Sequence, residues 1–297
     1  MSFIEPASLP FSRSQGHKID LVPASQFTFA ELTAAYNQTR IDYIVPMPMS
    51  VDRLREYVAN YDVNLDASAV ALDDDQMLGL AMLGVRPGHT WTTRLGLLPA
   101  SRGYGVGQQL MEYLIAQSQA LHVSHTILEV IKNNVPAHHL FTKLGFEETR
   151  ELLVLRRPPG PVTFSVPPYE AQFLESEDAM AFLERRRSQP SWLDESFSLR
   201  NAGRMVGVEV RLKSGGWGWL LFQHNLFQFG RLVLQPEEGD LEAVARALLH
   251  ALYSRYPRHD TKFENLPAAD PYWPVFQEFG FVVSFQRIEM RLDLQQG

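Results

Sequence analysis

The chain has 297 residues, 45% hydrophobic and 21% charged, which is ordinary globular composition at a length suited to two domains. A net charge of −7 argues against nucleic acid or an anionic membrane surface as partner. The absence of cysteine excludes disulfides, thiolate metal sites and a cysteine nucleophile. No apolar run reaches bilayer length, and residues 1–16 lack a basic region followed by an apolar core, so a cytoplasmic location is the expectation.

In chain order, residues 1–16 read as an arm, because Pro6, Pro10 and Gly16 interrupt any pattern. A first strand follows at 17–22 and a helix at 28–36, with Thr28 as N-cap and Glu31 as its capping-box partner. Residues 40–49 (RIDYIVPMPM) are apolar and proline-broken, hence a loop, and Ser50 caps a second helix at 51–61. Strands at 67–72 and 77–85 form a hairpin around Asp73–Asp75, and a further strand at 91–98 runs into Leu95–Gly107, L-G-L-L-P-A-S-R-G-Y-G-V-G. Residues 108–119 then carry Leu110, Met111, Leu114 and Ile115 at helical spacing.

A strand, a glycine turn and a helix start together aim free backbone N–H groups and a positive dipole end at one spot, which attracts phosphate. The dinucleotide fingerprint G-x-G-x-x-G fails here for want of its third glycine, which argues against nucleotide or NAD binding. No Gly-Lys-Ser/Thr follows, so a P-loop is excluded. What remains is R-x-x-G-x-G at Arg102–Gly107. Downstream lie Thr126–Val130 (TILEV), Asn134, Ala137, Leu140, Phe141 and Lys143-Leu144-Gly145-Phe146.

These two stretches, in this order and one helix apart, resemble the signatures of the GCN5-related N-acetyltransferase (GNAT) family over about residues 17–157. The resemblance implies a mixed α/β (α+β) sheet and acetyl-CoA as donor. It places Arg102, Gly103, Tyr104, Gly105, Val106 and Gly107 on the pyrophosphate, Leu97 and Leu98 on the pantetheine arm, and Asn134 and Phe141 at the cofactor. Asp42, Tyr43 and Met47 become acceptor-site candidates, set against the alternative that Tyr43 and the methionines simply pack under the loop. Phe141 departs from the pattern: the family's tyrosine there protonates the leaving thiolate, and phenylalanine cannot. A thiol pKa of about 8.5 still leaves the thiolate a tolerable leaving group.

Acyl transfer to an amine needs a base and a donor to the carbonyl oxygen. By the same resemblance, a backbone N–H near Leu97 is the expected oxyanion donor. Glu129 is the candidate base, because alternation sets it with Ile127 on one face of a central strand. Against this stands a structural glutamate that bonds loop amides. His122, His125, His138 and His139 have no metal-site spacing with carboxylates, so no metal is expected.

A Pro158–Pro161 cluster marks a linker at 158–162, giving a catalytic domain at 17–157 and a second domain at 163–297. The second repeats the first. A constant separation of 135 residues carries Thr126 to Thr261, Glu129 to Glu264, Phe141 to Phe276, Gly145 to Gly280 and Phe146 to Phe281. Arg231–Pro236 parallels Arg94–Pro99, but Glu237, Glu238 and Asp240 then stand where the first half has its glycine turn. Carboxylates repel pyrophosphate, so the copy is expected to be degenerate. Two function classes remain open: an acetyltransferase acting on a small-molecule or peptide amine, and a non-catalytic CoA-binding regulatory module. Monomer and homodimer are both compatible with the sequence.

Overall fold

The structure is a computed structural model and describes residues 19–45 and 47–294. The expected arm lies outside the described residues, as do His17 and Lys18 of the expected first strand. The described residues form two compact units, one running up to Thr149 and resuming at Glu289, the other Arg150–Ile288.

The first unit contains β1 (Asp20–Pro23), α1 (Phe29–Gln38), α2 (Val51–Asn60), β2 (Val63–Asp73), β3 (Gln76–Arg86), β4 (His89–Leu97), α3 (Val106–Ala120), β5 (His125–Ile131) and α4 (Val135–Lys143). The chain passes to the second unit within β6 (Glu147–Arg157). There follow β7 (Tyr169–Leu174), α5 (Ser176–Ala181), α6 (Ser196–Ala202), β8 (Met205–Leu212), β9 (Trp217–His224), β10 (Gln228–Glu238), α7 (Leu241–Arg255), β11 (Asp260–Pro267) and α8 (Trp273–Glu278). Within β12 (Val282–Asp293) the chain returns to the first unit.

In the first unit the strand order is β1-β2-β3-β4-β5-β12. The helix starts follow from their caps: Thr28 and Glu31 close the expected capping box on α1, and the Ser50 hydroxyl accepts from Arg53 N–H at 3.3 Å on α2. Strand alternation divides the core. Val70, Leu80 and Met82 pack under Leu32, Tyr36 and Leu54 of α1 and α2, while Ala69, Ala71 and Leu83 face Val106, Leu110 and Leu114 of α3. Alanines on that face let α3 approach the sheet closely.

The second unit has strand order β6-β11-β10-β9-β8-β7. Its long α7 buries Val244, Leu248 and Leu252 against β8 to β10. Trp219 and Phe222 are buried, whereas Trp217 is half-buried beside the guanidinium groups of Arg185 and Arg211. The two halves share backbone detail. Arg94 and Arg231 adopt φ of 55° and 53° in equivalent bulges of β4 and β10, and Gly145 and Gly280 adopt 90° and 83° after α4 and α8.

The division differs from the boundary expected at 158–162. Leu152–Arg157 pair antiparallel with β11, Leu155 opposite Phe263, and Leu153 and Leu155 join the second unit's core. Gly160 of the linker is fixed there too, its N–H donating to Pro257 O at 2.9 Å. In the first unit, Leu294 N–H beyond the end of β12 donates to Ser124 O at 2.9 Å, beside the start of β5. Each half's last strand is thus completed by the other half of the sequence. Both segments read simply as apolar strands, so their pattern does not name the sheet that takes them.

Candidate active site

The site grows from one irregularity. β4 and β5 pair in parallel from His89 opposite His125 to Thr92 opposite Leu128. In the next residues β4 bulges: the register against β3 slips between Thr93 and Gly96, and Arg94 takes a left-handed φ of 55°. The bulge bends β4, and the two strands fork. A cavity of about 120 Å³ opens in the fork, lined by Trp91–Leu95, Leu128–Val130, Arg40, Tyr43, Asn134, Ala137 and Phe141.

The cavity brings together four of the residues predicted from sequence: Tyr43, Glu129, Asn134 and Phe141. Glu129 is half-buried rather than fully buried. Tyr57, whose phenol bonds Thr93 Oγ1 at 2.6 Å, lies within the field of Glu129 and Arg94, and burial pushes its pKa well above the ordinary tyrosine range. Asn134 caps α4, its Oδ1 accepting from Ala137 N–H at 3.5 Å, while its Nδ2 stands 3.5 Å from the Tyr43 hydroxyl. Phe141 is buried against Phe146 and offers the cavity only carbon.

Asp42 and Met47 do not line the cavity. Asp42 is exposed and receives a two-pronged bond from Arg102, both at 2.7 Å. That bond holds the Asp42 carboxyl below its usual pKa. Arg102 therefore ties the 39–42 segment to the glycine turn, a role the sequence did not suggest.

The turn itself leads to a bare helix end. Gly103 and Gly105 have φ of 82° and 84°, and a Cβ at either meets nothing within 4 Å. Within the protein, glycine at these two positions is required by backbone conformation. Gly105 is the N-cap of α3, no side chain caps it, and the first-turn N–H groups have no intrahelical acceptor. Gly107 does sit close to neighbours, its Cβ direction meeting Leu97 Cδ1 at 3.3 Å and Leu140 Cδ2 at 3.4 Å. Leu98 N–H is engaged by Leu78 O at 2.9 Å, so alternation turns the Leu97 N–H to the other edge of β4, toward the fork.

Sequence reasoning missed two basic residues of the cavity and one near the turn. Arg40 lies over the Tyr43 ring at 4.1 Å and donates to the bulge carbonyl of Leu95 at 2.7 Å. Arg94 lies 4.0 Å from the Tyr57 ring and donates to the Tyr36 hydroxyl at 2.9 Å. Lys143 donates to Gln108 Oε1 at 2.9 Å, which sets an ammonium beside the first turn of α3. The buried Arg40 Nε and Thr92 Oγ1 have no partner among the described residues, so this cavity is polar and incomplete. A bare helix N-terminus, adjacent cations and an unfilled polar fork suit a phosphate-bearing ligand with an extended arm.

The second unit lacks that end. Asp240 caps α7, accepting from Ala243 N–H at 3.1 Å, and Gly239 lies against the Gly215–Gly216 turn, where a Cβ would meet Gly216 Cα at 2.6 Å. Glu237 is taken up by Trp219 Nε1 at 2.8 Å and by Arg187. Among the described residues no group of three or more His, Asp or Glu side chains could hold a metal, and no helix is long and apolar enough to cross a membrane.

Residues 33–146 match the acetyltransferase (GNAT) family. Among solved structures, a GCN5-related N-acetyltransferase from Sphaerobacter thermophilus is 15% identical, with a TM-score of 0.71 over 94% of this chain and 96% of that one. A tandem GNAT protein from the clavulanic acid biosynthesis pathway is 13% identical, with a TM-score of 0.64 over 93% and 98%. A putative acetyltransferase from Pyrococcus horikoshii is 13% identical, with a TM-score of 0.61 over 99% and 94%. At these identities the likeness is one of fold, and it extends through both halves of the sequence. The family match falls on the segment, residues 33–146, that carries the glycine turn, the bulge and the fork.

Proposed function

We propose that the first unit moves an acetyl group from acetyl-CoA to a primary amine, of a small molecule or a protein N-terminus, by direct attack in a ternary complex. The observation that carries this reading is the uncapped N-terminus of α3 beside the β4–β5 fork, against its capped and filled counterpart in the second unit. Acetyl-CoA supplies an activated acyl group and a thiolate leaving group; positioning and proton movement fall to the chain. Backbone N–H groups of the Arg102–Gly107 turn and the start of α3 hold the pyrophosphate, with Lys143 alongside. Leu97 and Leu98 flank the arm, and the Leu97 N–H donates to the carbonyl oxygen as charge develops there.

Glu129 accepts the amine proton, directly or through water. The Tyr43 hydroxyl, beside Asn134, supplies the proton that Phe141 cannot. Asp42 and Met47 shape the acceptor side through the loop that Arg102 anchors.

The test is calorimetric titration of acetyl-CoA into wild type and Gly105→Glu, with thiol release on added amines. One site per chain, lost in the variant, together with thiol release, supports the enzyme. One site without release under any amine supports a non-catalytic CoA-binding module, the reading that Phe141 favours. Two sites would mean that the second unit also holds the donor.

A further inference from the structure

The second unit has its own fork. β10 and β11 pair in parallel only at Gln228 opposite Asp260 and Phe229 opposite Thr261, and the Arg231 bulge then parts them. A cavity of about 240 Å³ lies beyond, twice the volume of the first. Its apolar walls include Leu232, Leu234, Phe263 and Phe276, and its polar groups include Asp194 and Asp270.

Asp194 is the unusual member. It ends a short 3-10 turn, Trp192–Asp194, fixed by the Ser198 hydroxyl on Trp192 O at 2.6 Å and by Asn265 Nδ2 on Ser191 Oγ at 3.0 Å. The residue is 6% exposed, and among the described residues none donates a hydrogen bond to its carboxyl oxygens. The three arginines whose charge it feels are committed elsewhere. Arg186 donates to the backbone carbonyl of Asp194 and to Ser188 Oγ, Arg231 to Leu193 O, and Arg287 to Glu264 and Asn265. Burial pushes the Asp194 carboxyl up to about 7, and burial likewise raises Asp270, whose one engaged oxygen accepts Tyr272 N–H at 2.8 Å. Buried acceptors without donors are rare in folded proteins and mark places that a ligand completes. The arginines around Asp194 are bonded to other acceptors, and the Asp194 carboxyl with the second oxygen of Asp270 leaves acceptors in the cavity that suit a cation. Its walls ask for an apolar body on the same molecule.

The geometry points to a second binding site here, for a small organic amine whose ammonium sits on Asp194 and whose apolar body lies against Phe263 and Phe276. It is distinct from the acetyl-transfer site and does not rest on that reading.

The probe is phenethylamine, titrated by calorimetry into the full-length protein without acetyl-CoA. Hydrocinnamate, of similar shape and opposite charge, is the comparison. Wild type and Glu129→Gln are expected to bind the amine alike, Asp194→Asn at least tenfold more weakly, and none of the three to take up hydrocinnamate. Melting curves accompany the titrations. Asp194→Asn is expected to melt no lower than wild type, since it removes a buried unpartnered carboxyl, so its loss of binding is not unfolding. No saturable amine binding to wild type, unchanged amine affinity in Asp194→Asn, hydrocinnamate binding as tight as the amine, or binding lost in Glu129→Gln alone would each overturn the proposal.

Discussion

Replacing Gly105 and Gly107 one at a time by alanine separates the conformational role of the glycine turn from its steric one. At Gly105 the added Cβ meets nothing within 4 Å, so no clash arises. The whole stability cost comes from holding alanine at φ 84°, about 1–2 kcal/mol for a residue in the left-handed region. For a domain of this size that corresponds to about 2–8 °C in melting temperature. Gly107 has an ordinary helical conformation, where alanine gains about 1 kcal/mol of helix propensity. Its Cβ approaches Leu97 Cδ1 at 3.3 Å and Leu140 Cδ2 at 3.4 Å, both at the ends of flexible side chains that yield by a few tenths of an ångström. The stability of Gly107→Ala therefore stays within about 1 kcal/mol of wild type. Both variants place a methyl group near the first-turn N–H groups of α3, so both are expected to weaken acetyl-CoA binding at least tenfold. Scanning calorimetry and acetyl-CoA titration on the two variants provide the readout. A Gly105→Ala protein as stable as wild type would refute the left-handed turn, and full acetyl-CoA affinity in both would refute the phosphate cradle.

Three further outcomes are expected. Glu129→Gln lowers the acetyl-transfer rate by about 10²–10⁴-fold and removes the acidic limb of its pH profile, with acetyl-CoA affinity unchanged; steady-state kinetics across pH decides. Arg157→Leu destabilises the second unit by about 3 kcal/mol in denaturant titration, because the buried guanidinium bonds Phe279 O, Gly160 O and Pro158 O and lies 3.8 Å from the Tyr253 ring. The third concerns pH. Asp194 is raised from 3.8 to about 7 in the folded chain, so the unfolded chain ionises first and stability falls as pH rises from about 4 to 7. Glu264 has the opposite sign: burial raises it, but Arg287 and Lys262 outweigh burial and hold it at about 2, so its contribution is lost as pH falls from about 4.5 to 2. Melting curves should show Asp194→Asn gaining more over wild type at pH 8 than at pH 4, and Glu264→Gln losing more at pH 6 than at pH 2.

The parts of this site that were legible from sequence are those where chemistry restricts residue choice. A left-handed turn before a helix asks for glycine, and Arg102–Gly107 displays it. Alternation in a short β-branched strand marked Glu129, which does line the fork. The repeat was legible as a fixed separation, and its physical content is the matching bulges at Arg94 and Arg231. Those bulges could not be read in advance, because arginine is a poor residue for positive φ and nothing local announces it. Arg40 escaped notice for a related reason: its target, the Leu95 carbonyl, is freed only by the bulge. The Arg102–Asp42 bond joins residues sixty positions apart in sequence, and charge alone does not choose between the acidic partners on offer.

The strand exchange sets limits on how this protein can be divided. A fragment ending at the proline linker would carry residues 152–157, whose hydrogen-bonding partner β11 is missing, and would leave β5 without its neighbour β12. The strand that bears Glu129 would then become an open edge, prone to pairing with other chains. Expressed alone, either half is expected to associate with a second copy or to aggregate. Mixed from two separate genes, the halves should find one another by supplying the strand each lacks. The gene-level unit of this fold is thus the pair, and a single-domain relative using the same exchange would have to be a dimer.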